Sequence, residues 1–251
     1  MDQHATIFQN ADAAIADFDF GERTTAVFDD MLGRSIPMYG ELQRMIGEIA
    51  GELAHTGSGV YDLGCSTGIT LASLREGARA AGKAPWLVGV DNSRPMFDKC
   101  RDRFAALDEC QRPTLVEADL NTYRGIRNVS VVVLNLTLQF IRPLQREHLI
   151  ELIAGDMQDD GCLILVEKVL SADTRINRDF IKFYYNMKRA NGYSETEIAR
   201  KREALENVLI PYRLEKNIEL LTRNGFHAAD TFFRCYNFAS IVAVKGSAVC
   251  L

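Results

Sequence analysis

The chain has 251 residues, of which 47% are hydrophobic and 25% are charged, and its formal net charge is −5. This composition is typical of a globular protein with a sizeable core. The acidic balance argues against broad non-specific binding to nucleic acid or to an anionic membrane surface. No apolar run approaches the roughly 20 residues that cross a bilayer, and the first residues lack the pattern of a signal peptide, so we expect a cytoplasmic protein.

The cysteines and histidines are not spaced as metal ligands. The six cysteines include no C-x-x-C pair, and the four histidines are scattered. We therefore expect no metal and no disulfide framework. Cys65 lies in a loop that other features single out, so a nucleophilic thiol is one hypothesis for it, although no base stands near it in the sequence.

The N-terminal part, about residues 1–57, combines an irregular start with two helices. Residues 1–20 show little periodicity and are expected to form an arm. A short helix is predicted from Glu22 to Leu32, and Pro37 opens a longer one. Tyr39 falls in the first turn of that second helix, in register with its apolar residues, so periodicity alone predicts a core residue.

The stretch Val60–Thr70 organises the rest of the sequence. An apolar run ends near Asp62, small residues follow, and a helix can begin after Gly68. Glycine lets the backbone turn tightly and approach a ligand, and the helix would present its unpaired N–H groups to the turn. The stretch predicts a nucleotide site, and a tight turn of any α/β protein is the alternative.

Four more apolar runs have the length and composition of buried parallel strands. They are Trp86–Val90, Thr114–Ala118, Val129–Leu134 and Cys162–Val166. The segments between them include predicted helices, so we expect a parallel sheet with helices on both faces. In such sheets, ligands bind beyond the carboxyl ends of the strands. The polar residues expected at those ends are Asp62, Asp91, Asp119, Asn135 and Glu167.

The C-terminal part departs from this alternation. About residues 171–210 form a polar, helical insertion that breaks at Asn191-Gly192. A helix is predicted over Leu214–Arg223, and the strands Asp230–Cys235 and Ala239–Lys245 are expected to form an antiparallel hairpin. The predicted fold class is therefore α/β, with one domain over residues 1–251. Its doubly wound, mostly parallel, seven-stranded sheet is Rossmann-like and ends in an antiparallel β-hairpin.

The loop and the strand ends favour a particular ligand chemistry. Ser66 stands where a dinucleotide fingerprint has its middle glycine, and no lysine follows, so a Walker-type phosphate site is excluded. Asp91 is placed to accept hydrogen bonds from ribose hydroxyls, and Asp119 from an adenine amino group. An acidic rim suits a nucleoside that carries positive charge and no phosphate, as S-adenosylmethionine does. The chain thus resembles the class I methyltransferase fold, whose terminal hairpin it shares.

Longer strings resemble the carboxy-S-adenosyl-L-methionine synthase family. They are YDLGCS at 61–66, DNS at 91–93, VLNLTLQF at 133–140, KRANGYS at 188–194, LENV at 205–208 and CYNF at 235–238. The similarity runs from about Phe18 to Lys245. Ordinary methyltransferases share only the first loop and the acidic residue after the second strand.

This resemblance implies an unusual reaction. Members of the family join S-adenosylmethionine to a carboxyl group taken from prephenate, and phenylpyruvate is released. The product, carboxy-S-adenosylmethionine, serves a second enzyme that modifies the wobble uridine of certain tRNAs to its 5-oxyacetic acid. The protein would then act in tRNA modification without binding nucleic acid or a membrane itself. The resemblance also implies a homodimer.

Matched motif by motif, the resemblance implies the following contacts to S-adenosylmethionine or its carboxylated product: Tyr39, Gly64, Cys65, Ser66, Asp91, Asn92, Asp119, Leu120, Asn135 and Arg202. Arg202 belongs to the Lys-Arg pair downstream of the KRANGYS string, and it is implied to be the catalytic residue that binds the product's carboxylate. A guanidinium suits this role because its planar fork matches a carboxylate and stays charged at any working pH.

Two other functions stay open on the sequence. The first is an ordinary S-adenosylmethionine-dependent methyltransferase that acts on a small carboxylate substrate, with Arg202 holding the substrate's carboxylate. The second is a non-catalytic, cofactor-binding subunit of a modification complex. The group that removes the methyl proton and the residues that contact prephenate are not identified by any motif.

Overall fold

The computed structural model describes residues 20–246, so all of the predicted arm over residues 1–20 except its last residue lies outside the described residues. Within that range the helices are α1 (Glu22–Ser35), α2 (Tyr39–Leu53), α3 (Ile69–Ala80), α4 (Arg94–Arg103), α5 (Pro143–Asp156), α6 (Thr174–Ala190), α7 (Glu195–Ala204) and α8 (Leu214–Arg223). The strands are β1 (Gly59–Leu63), β2 (Trp86–Asp91), β3 (Thr114–Glu117), β4 (Val129–Asn135), β5 (Met157–Leu170), β6 (Tyr212–Arg213), β7 (Phe226–Cys235) and β8 (Phe238–Lys245).

The sheet has the predicted topology. Seven strands lie in the order β3-β2-β1-β4-β5-β8-β7. The first five are mutually parallel, whereas β8 runs antiparallel to β5 and β7 antiparallel to β8. The predicted α/β class and closing hairpin are therefore confirmed. An eighth strand that the sequence did not suggest, the two-residue β6, pairs with the end of β5.

The central strands are buried on both faces, which explains their continuous apolar sequences. In β4, Val131 and Val133 pack with α2 and α3 on one side of the sheet. The alternate residues Val132 and Leu134 pack with α5 and α8 on the other side. This alternation follows from the two-residue period of a strand and produces the two core layers.

Strand β5 is longer than predicted at both ends. Its register passes from Met157 opposite Val129 to Cys162 opposite Val131, and Asp160 keeps a left-handed φ of 64°. The turn predicted just before Cys162 thus persists as an irregularity inside the strand. At the other end, β5 continues past Glu167, so this residue does not end a strand as predicted.

The helical insertion lies against α1. Its two helices break at the predicted Asn191-Gly192, and Ser194 then starts α7 with a capping box completed by Glu197. Asn191 Nδ2 donates to the carbonyl of Arg34 at 3.0 Å, so the break itself is tied to the end of α1. Among residues 20–246, no helix combines the length and apolar character needed to cross a bilayer.

Candidate active site

A cavity of about 380 Å3 lies at the carboxyl edge of the sheet, where ligands bind in this architecture. The loop after β1 and the ends of β2, β3 and β4 form one wall. Helix α1, the start of α2, and the insertion form the opposite wall. The volume falls within the range of small-molecule sites, roughly 300–1,000 Å3.

The loop after β1 has a strained backbone that brings main chain to the cavity. Gly64 has a φ of 85°, and a Cβ there would lie 2.4 Å from Thr137 Oγ1, so only glycine fits. Ser66 has a φ of 46°, which is unusual for a residue other than glycine. The amides of Gly64 and Cys65 both donate to the Val90 carbonyl, at 2.7 and 3.1 Å, and fix the loop on β2.

Asp91 connects this loop to the end of β2. Its Oδ2 accepts from the Ser66 amide at 2.9 Å, and its Oδ1 accepts from the Ser93 amide at 2.8 Å. Burial raises the pKa of Asp91, while these amide hydrogen bonds oppose that rise by favouring the carboxylate. Each carboxylate oxygen keeps a further lone pair, so Asp91 can accept from a ligand's hydroxyl groups. Asn92 lies next to it on the cavity wall.

The ends of β3 and β4 supply more acceptors. Asp119 Oδ1 accepts from the amide and the side chain of Asn121, at 2.9 and 2.7 Å, beside the buried Leu120. Asn135 Nδ2 donates to Thr70 Oγ1 at 3.0 Å. Its Oδ1 is buried and has no hydrogen-bond partner among residues 20–246, so it is available to a donor in the cavity.

Tyr39 lines the cavity from the first turn of α2. Burial raises the pKa of its hydroxyl, which therefore stays protonated at neutral pH and can donate a hydrogen bond. Periodicity alone predicted a core residue here. The structure instead places Tyr39 with Gly64, Ser66, Asp91 and the other expected contacts around one cavity.

Cys65 is not a nucleophile in this environment. Its side chain is buried, and its pKa is raised by the neighbouring Cys100 thiol, by burial and by Asp62. A thiol held protonated cannot supply the thiolate that nucleophilic catalysis needs. Among the described residues, no group of three or more His, Cys, Asp or Glu side chains is arranged to hold a metal ion.

Two of the expected strand-end acids do not line the cavity. Asp62 and Glu167 are each 1% exposed and lie within the core. Burial raises the pKa of both carboxyl groups to about 8. Asp62 precedes the turn by two residues, and Glu167 lies inside β5, so both side chains point into packed layers. Neither residue is among the expected ligand contacts, and neither lines the cavity.

Arg202 and Lys201 have opposite surroundings although they are neighbours in α7. The Arg202 side chain is 63% exposed, and Glu203 is its ion-pair partner at 3.9 Å. Lys201 is buried and lines the cavity, where its Nζ donates to Ser35 Oγ at 3.0 Å. Consecutive helical residues point about 100° apart, so only one of the pair can face inward. The structure brings the other nine expected contacts together, and Arg202 lies outside this group.

Sequence reasoning missed the residues that form the far side of the cavity. Lys168, Tyr184 and Lys201 line it from β5, α6 and α7. Helical spacing identifies the inward face of α7, because Ile198 and Lys201 are three residues apart and both are buried. No sequence pattern identifies Lys168, which follows the strand's apolar run.

Helix α1 holds the loop after β1 in place. Thr67 Oγ1 donates to Asp29 Oδ1 at 2.6 Å. Arg103 bridges the same two residues, with Nε on the Thr67 carbonyl at 2.7 Å and Nη2 on Asp29 at 2.8 Å. The apolar residues Phe28 and Met31 of this helix complete the cavity wall. The loop after β1 is thus supported by a helix about 40 residues earlier in the chain.

Comparison with known proteins identifies close relatives of the whole chain. A carboxy-S-adenosyl-L-methionine synthase from Methylococcus capsulatus is 49% identical over 239 residues, which cover 95% of this chain and 98% of the relative. Proteins of the same name from Desulfotalea psychrophila and Wolinella succinogenes are 40% and 42% identical, over 97% and 92% of this chain and 98% and 95% of the relatives. No family model matches the chain.

Solved structures of methyltransferases share the fold. An O-methyltransferase family protein from Burkholderia thailandensis aligns with a TM-score of 0.66 at 16% identity, over 90% of this chain and 61% of the other. A putative S-adenosylmethionine-dependent methyltransferase from Methanococcus maripaludis aligns with a TM-score of 0.59 at 16% identity, over 95% of this chain and 100% of the other. The near-full-length relatives show more than the fold: the protein is an enzyme that belongs to the carboxy-S-adenosyl-L-methionine synthase family.

Proposed function

We propose that this enzyme converts S-adenosylmethionine to carboxy-S-adenosylmethionine with prephenate as the carboxyl donor. The observation that carries the proposal is the charge distribution of the cavity. Asp91 and Asp119 lie at one end, and Lys168 and Lys201 lie at the other. A cationic nucleoside and an anionic donor would each meet complementary charge there.

The acidic end suits S-adenosylmethionine. Asp91 would accept from the two ribose hydroxyls while it keeps the Ser66 amide. Asp119 would accept from the adenine amino group. The amides and small side chains of the loop after β1 would contact the remainder of the molecule, and the unpaired Asn135 Oδ1 would accept from its ammonium group.

The proposed reaction needs no external oxidant or base. Prephenate loses its ring carboxyl group as CO2 and its ring hydroxyl as hydroxide, which leaves aromatic phenylpyruvate. Hydroxide takes a proton from the sulfonium methyl group and becomes water. The resulting carbanion centre bonds to the carbon of CO2, which gives the carboxymethyl sulfonium. One C–C bond breaks and one forms, and charge is conserved in the sum.

The protein's part in this chemistry is to position the reactants and exclude water. Helix α1 covers the cavity with Phe28 and Met31, and the insertion adds Leu205 and Val208. An enclosed, largely apolar cavity would keep CO2 and the carbanion centre together and would protect the latter from protonation by solvent. It would also strengthen the interactions that orient both substrates.

Two further roles follow from the resemblance. The product would be the carboxymethyl donor for a separate enzyme that modifies tRNA wobble uridine, and the net charge of −5 supports a chain that does not itself bind RNA.

A homodimer is supported by exposed apolar side chains on α6 and the closing hairpin, namely Ile176, Phe183 and Tyr236. Arg202 would contact the product's carboxylate after a rearrangement of α7 or in the cavity of a second copy.

The test is turnover of purified enzyme with S-adenosylmethionine and prephenate, followed by mass spectrometry. The proposal expects a product heavier than S-adenosylmethionine by the mass of one CO2, formed together with phenylpyruvate. Formation of S-adenosylhomocysteine and a methylated acid would identify an ordinary methyltransferase. Binding of S-adenosylmethionine without turnover would identify a non-catalytic subunit.

A further inference from the structure

Three lysines from separate elements, two of them buried and the third half-buried, meet at the β5 side of the cavity. Lys168 lies on β5, Lys188 on α6 and Lys201 on α7. The Lys168 ammonium lies 5.2 Å from the centre of the Tyr184 ring, and the Lys188 ammonium lies 4.6 Å from that of Tyr193. Buried lysines are rare unless they are paired, so Lys188 and Lys201, together with the half-buried Lys168, call for a physical explanation.

The charges that surround this cluster are mostly positive. Burial lowers the pKa of all three lysines, that of Lys188 to about 8. The pKa of Lys201 is lowered further by Lys188, Lys168 and Arg34. Glu197 opposes this effect at Lys188, but its Oε2 also accepts from the amide and the hydroxyl of Ser194, at 2.8 Å each. The cluster therefore brings together more basic than acidic side chains, and a bound anion would stabilise their charged forms.

The strand order separates the cluster from the acidic end of the cavity. From β2, which ends at Asp91, the sheet passes through β1 and β4 to β5, which carries Lys168. Three strand spacings amount to about 14 Å. The cavity lining therefore extends from Asp91 after β2 to Lys168 on β5, so a nucleoside and an anionic molecule would occupy different ends of it.

We infer that Lys168 and Lys201 form the subsite that holds the carboxyl donor by the carboxylate it retains, an inference that rests on the proposed function. In prephenate this is the carboxylate of the pyruvyl side chain, which is also present in phenylpyruvate. Lys188 lies behind the two lysines and does not line the cavity.

The chemistry of the reaction assigns the retained carboxylate to the lysines. The transferred carboxylate loses its negative charge as it becomes CO2, so an ion pair with it would stabilise the substrate more than the transition state and slow the reaction. The retained carboxylate keeps its charge throughout, so the same ion pair holds the donor without this penalty. The carboxyl group that is transferred would then lie beside the apolar side chains of the cavity wall and the sulfonium of S-adenosylmethionine.

The surroundings of Lys168 also fit a six-membered ring. The Tyr184 and Phe238 rings line the cavity with their centres 5.3 Å apart. A carboxylate on Lys168 would bring an attached ring against these side chains. Lys201 donates to the Ser35 hydroxyl rather than to an acid, so a ligand's carboxylate beside it would favour its charged form.

The experiment compares Lys168→Met and Lys201→Met with Lys182→Met, an exposed lysine on α6 outside the cavity. Methionine keeps the length of the side chain and removes the charge. We expect the KM for prephenate and the inhibition constant of phenylpyruvate to rise roughly tenfold or more in the first two variants. The affinity for S-adenosylmethionine should stay near the wild-type value in all three, which also shows that they are folded.

The outcomes separate this inference from the proposed function. Wild-type enzyme that binds S-adenosylmethionine but makes no carboxylated product from prephenate would overturn the proposed function. Normal product formation, with both constants unchanged in Lys168→Met and Lys201→Met, would overturn the lysine subsite alone. Recovery of the prephenate KM in Lys201→Arg would support it, because the charge is restored.

A measurement on the wild-type enzyme serves if the methionine variants do not fold. An anion bound between these lysines raises their pKa, so binding of phenylpyruvate should take up protons at an alkaline pH where the free lysines are partly deprotonated. Calorimetric titrations in two buffers with different ionisation enthalpies count these protons. Phenylpyruvate binding without proton uptake would overturn the subsite.

Discussion

The Lys201 ammonium donates a hydrogen bond to Ser35 Oγ at 3.0 Å, and this contact joins the helical insertion to α1 beside the cavity. Ser35 Oγ also lies 2.9 Å from the hydroxyl of Tyr193, and both side chains are buried. The two segments that cover the cavity are therefore linked through one hydroxyl group, although they are more than 150 residues apart in sequence.

Replacement of this hydroxyl should destabilise the protein. Ser35→Ala removes the acceptor of a buried ammonium, and an unsatisfied buried polar group costs about 1–3 kcal/mol. We expect the free energy of unfolding, measured by urea denaturation, to fall by this amount. Tyr193→Phe is the matched control, because Ser35 can still accept from Lys201 there. Equal losses in the two variants would show that the Lys201 contact is not the important one.

Asp91→Ala should weaken the binding of S-adenosylmethionine and of carboxy-S-adenosylmethionine alike, because a ribose contact is common to both. Loss of a charged acceptor costs about 1.5–3 kcal/mol, roughly a tenfold to hundredfold loss of affinity. The variant also removes the acceptor of the Ser66 amide, so the loop after β1 should become less rigid. Calorimetry tests this, with Asp98→Ala, a half-exposed acid of α4, as the control. Unchanged affinity for both ligands would show that Asp91 does not bind the ribose.

Arg202→Ala should lower the affinity for carboxy-S-adenosylmethionine far more than that for S-adenosylmethionine, if the guanidinium binds the added carboxylate. Truncation of one side of a charged, desolvated pair costs about 2–5 kcal/mol. Arg202→Lys should recover only part of this loss, since an ammonium lacks the planar fork. Arg178→Ala, on the exposed side of α6, is the control. Equal losses of affinity for the two ligands would show that Arg202 does not bind the added carboxylate. It would then be a surface charge only, as it is in the single chain.

Gly64→Ala should impair ligand binding through the backbone. An added Cβ would lie 2.4 Å from Thr137 Oγ1, and the φ of 85° disfavours any residue with a side chain. We expect a lower melting temperature and weaker S-adenosylmethionine binding. Gly40→Ala is the control, because nothing lies within 4 Å of its Cβ in the helix, and it should stabilise the protein slightly. A Gly64→Ala variant with wild-type affinity would contradict the tight-loop interpretation.

Asp62→Asn should change how stability depends on pH. The carboxyl group has a pKa of about 8 in the folded protein against 3.8 ordinarily, so the folded state holds a proton that the unfolded state releases. The Asp62 contribution to the free energy of unfolding therefore falls as pH rises from about 4 to about 8. Urea denaturation at both ends of this range should show the variant gaining stability over wild type as pH rises. Asp159→Asn, at an exposed position, should show no such gain.

The sequence by itself determined most of the elements, the fold class and most of the acidic end of the cavity. Continuous apolar runs and alternating helices specify a parallel sheet, and the residues after such strands necessarily meet at one edge. Asp91, Asp119 and Asn135 could therefore be placed together from their positions relative to the strands alone. Gly64 could be assigned because a tight turn has local backbone requirements, whereas Ser66 was implied by the family resemblance.

Only the tertiary structure decided which side chains face the cavity. Asp62 and Asp91 both lie near strand ends, but packing buries the first in the core and presents the second to a ligand. Lys201 faces the cavity and Arg202 faces solvent because α7 packs against α6 with the Lys201 side turned toward Ser35 of α1. The lysine cluster combines a strand and two helices distant in sequence. Such proximity depends on long-range packing, for which a local pattern of residues carries no information.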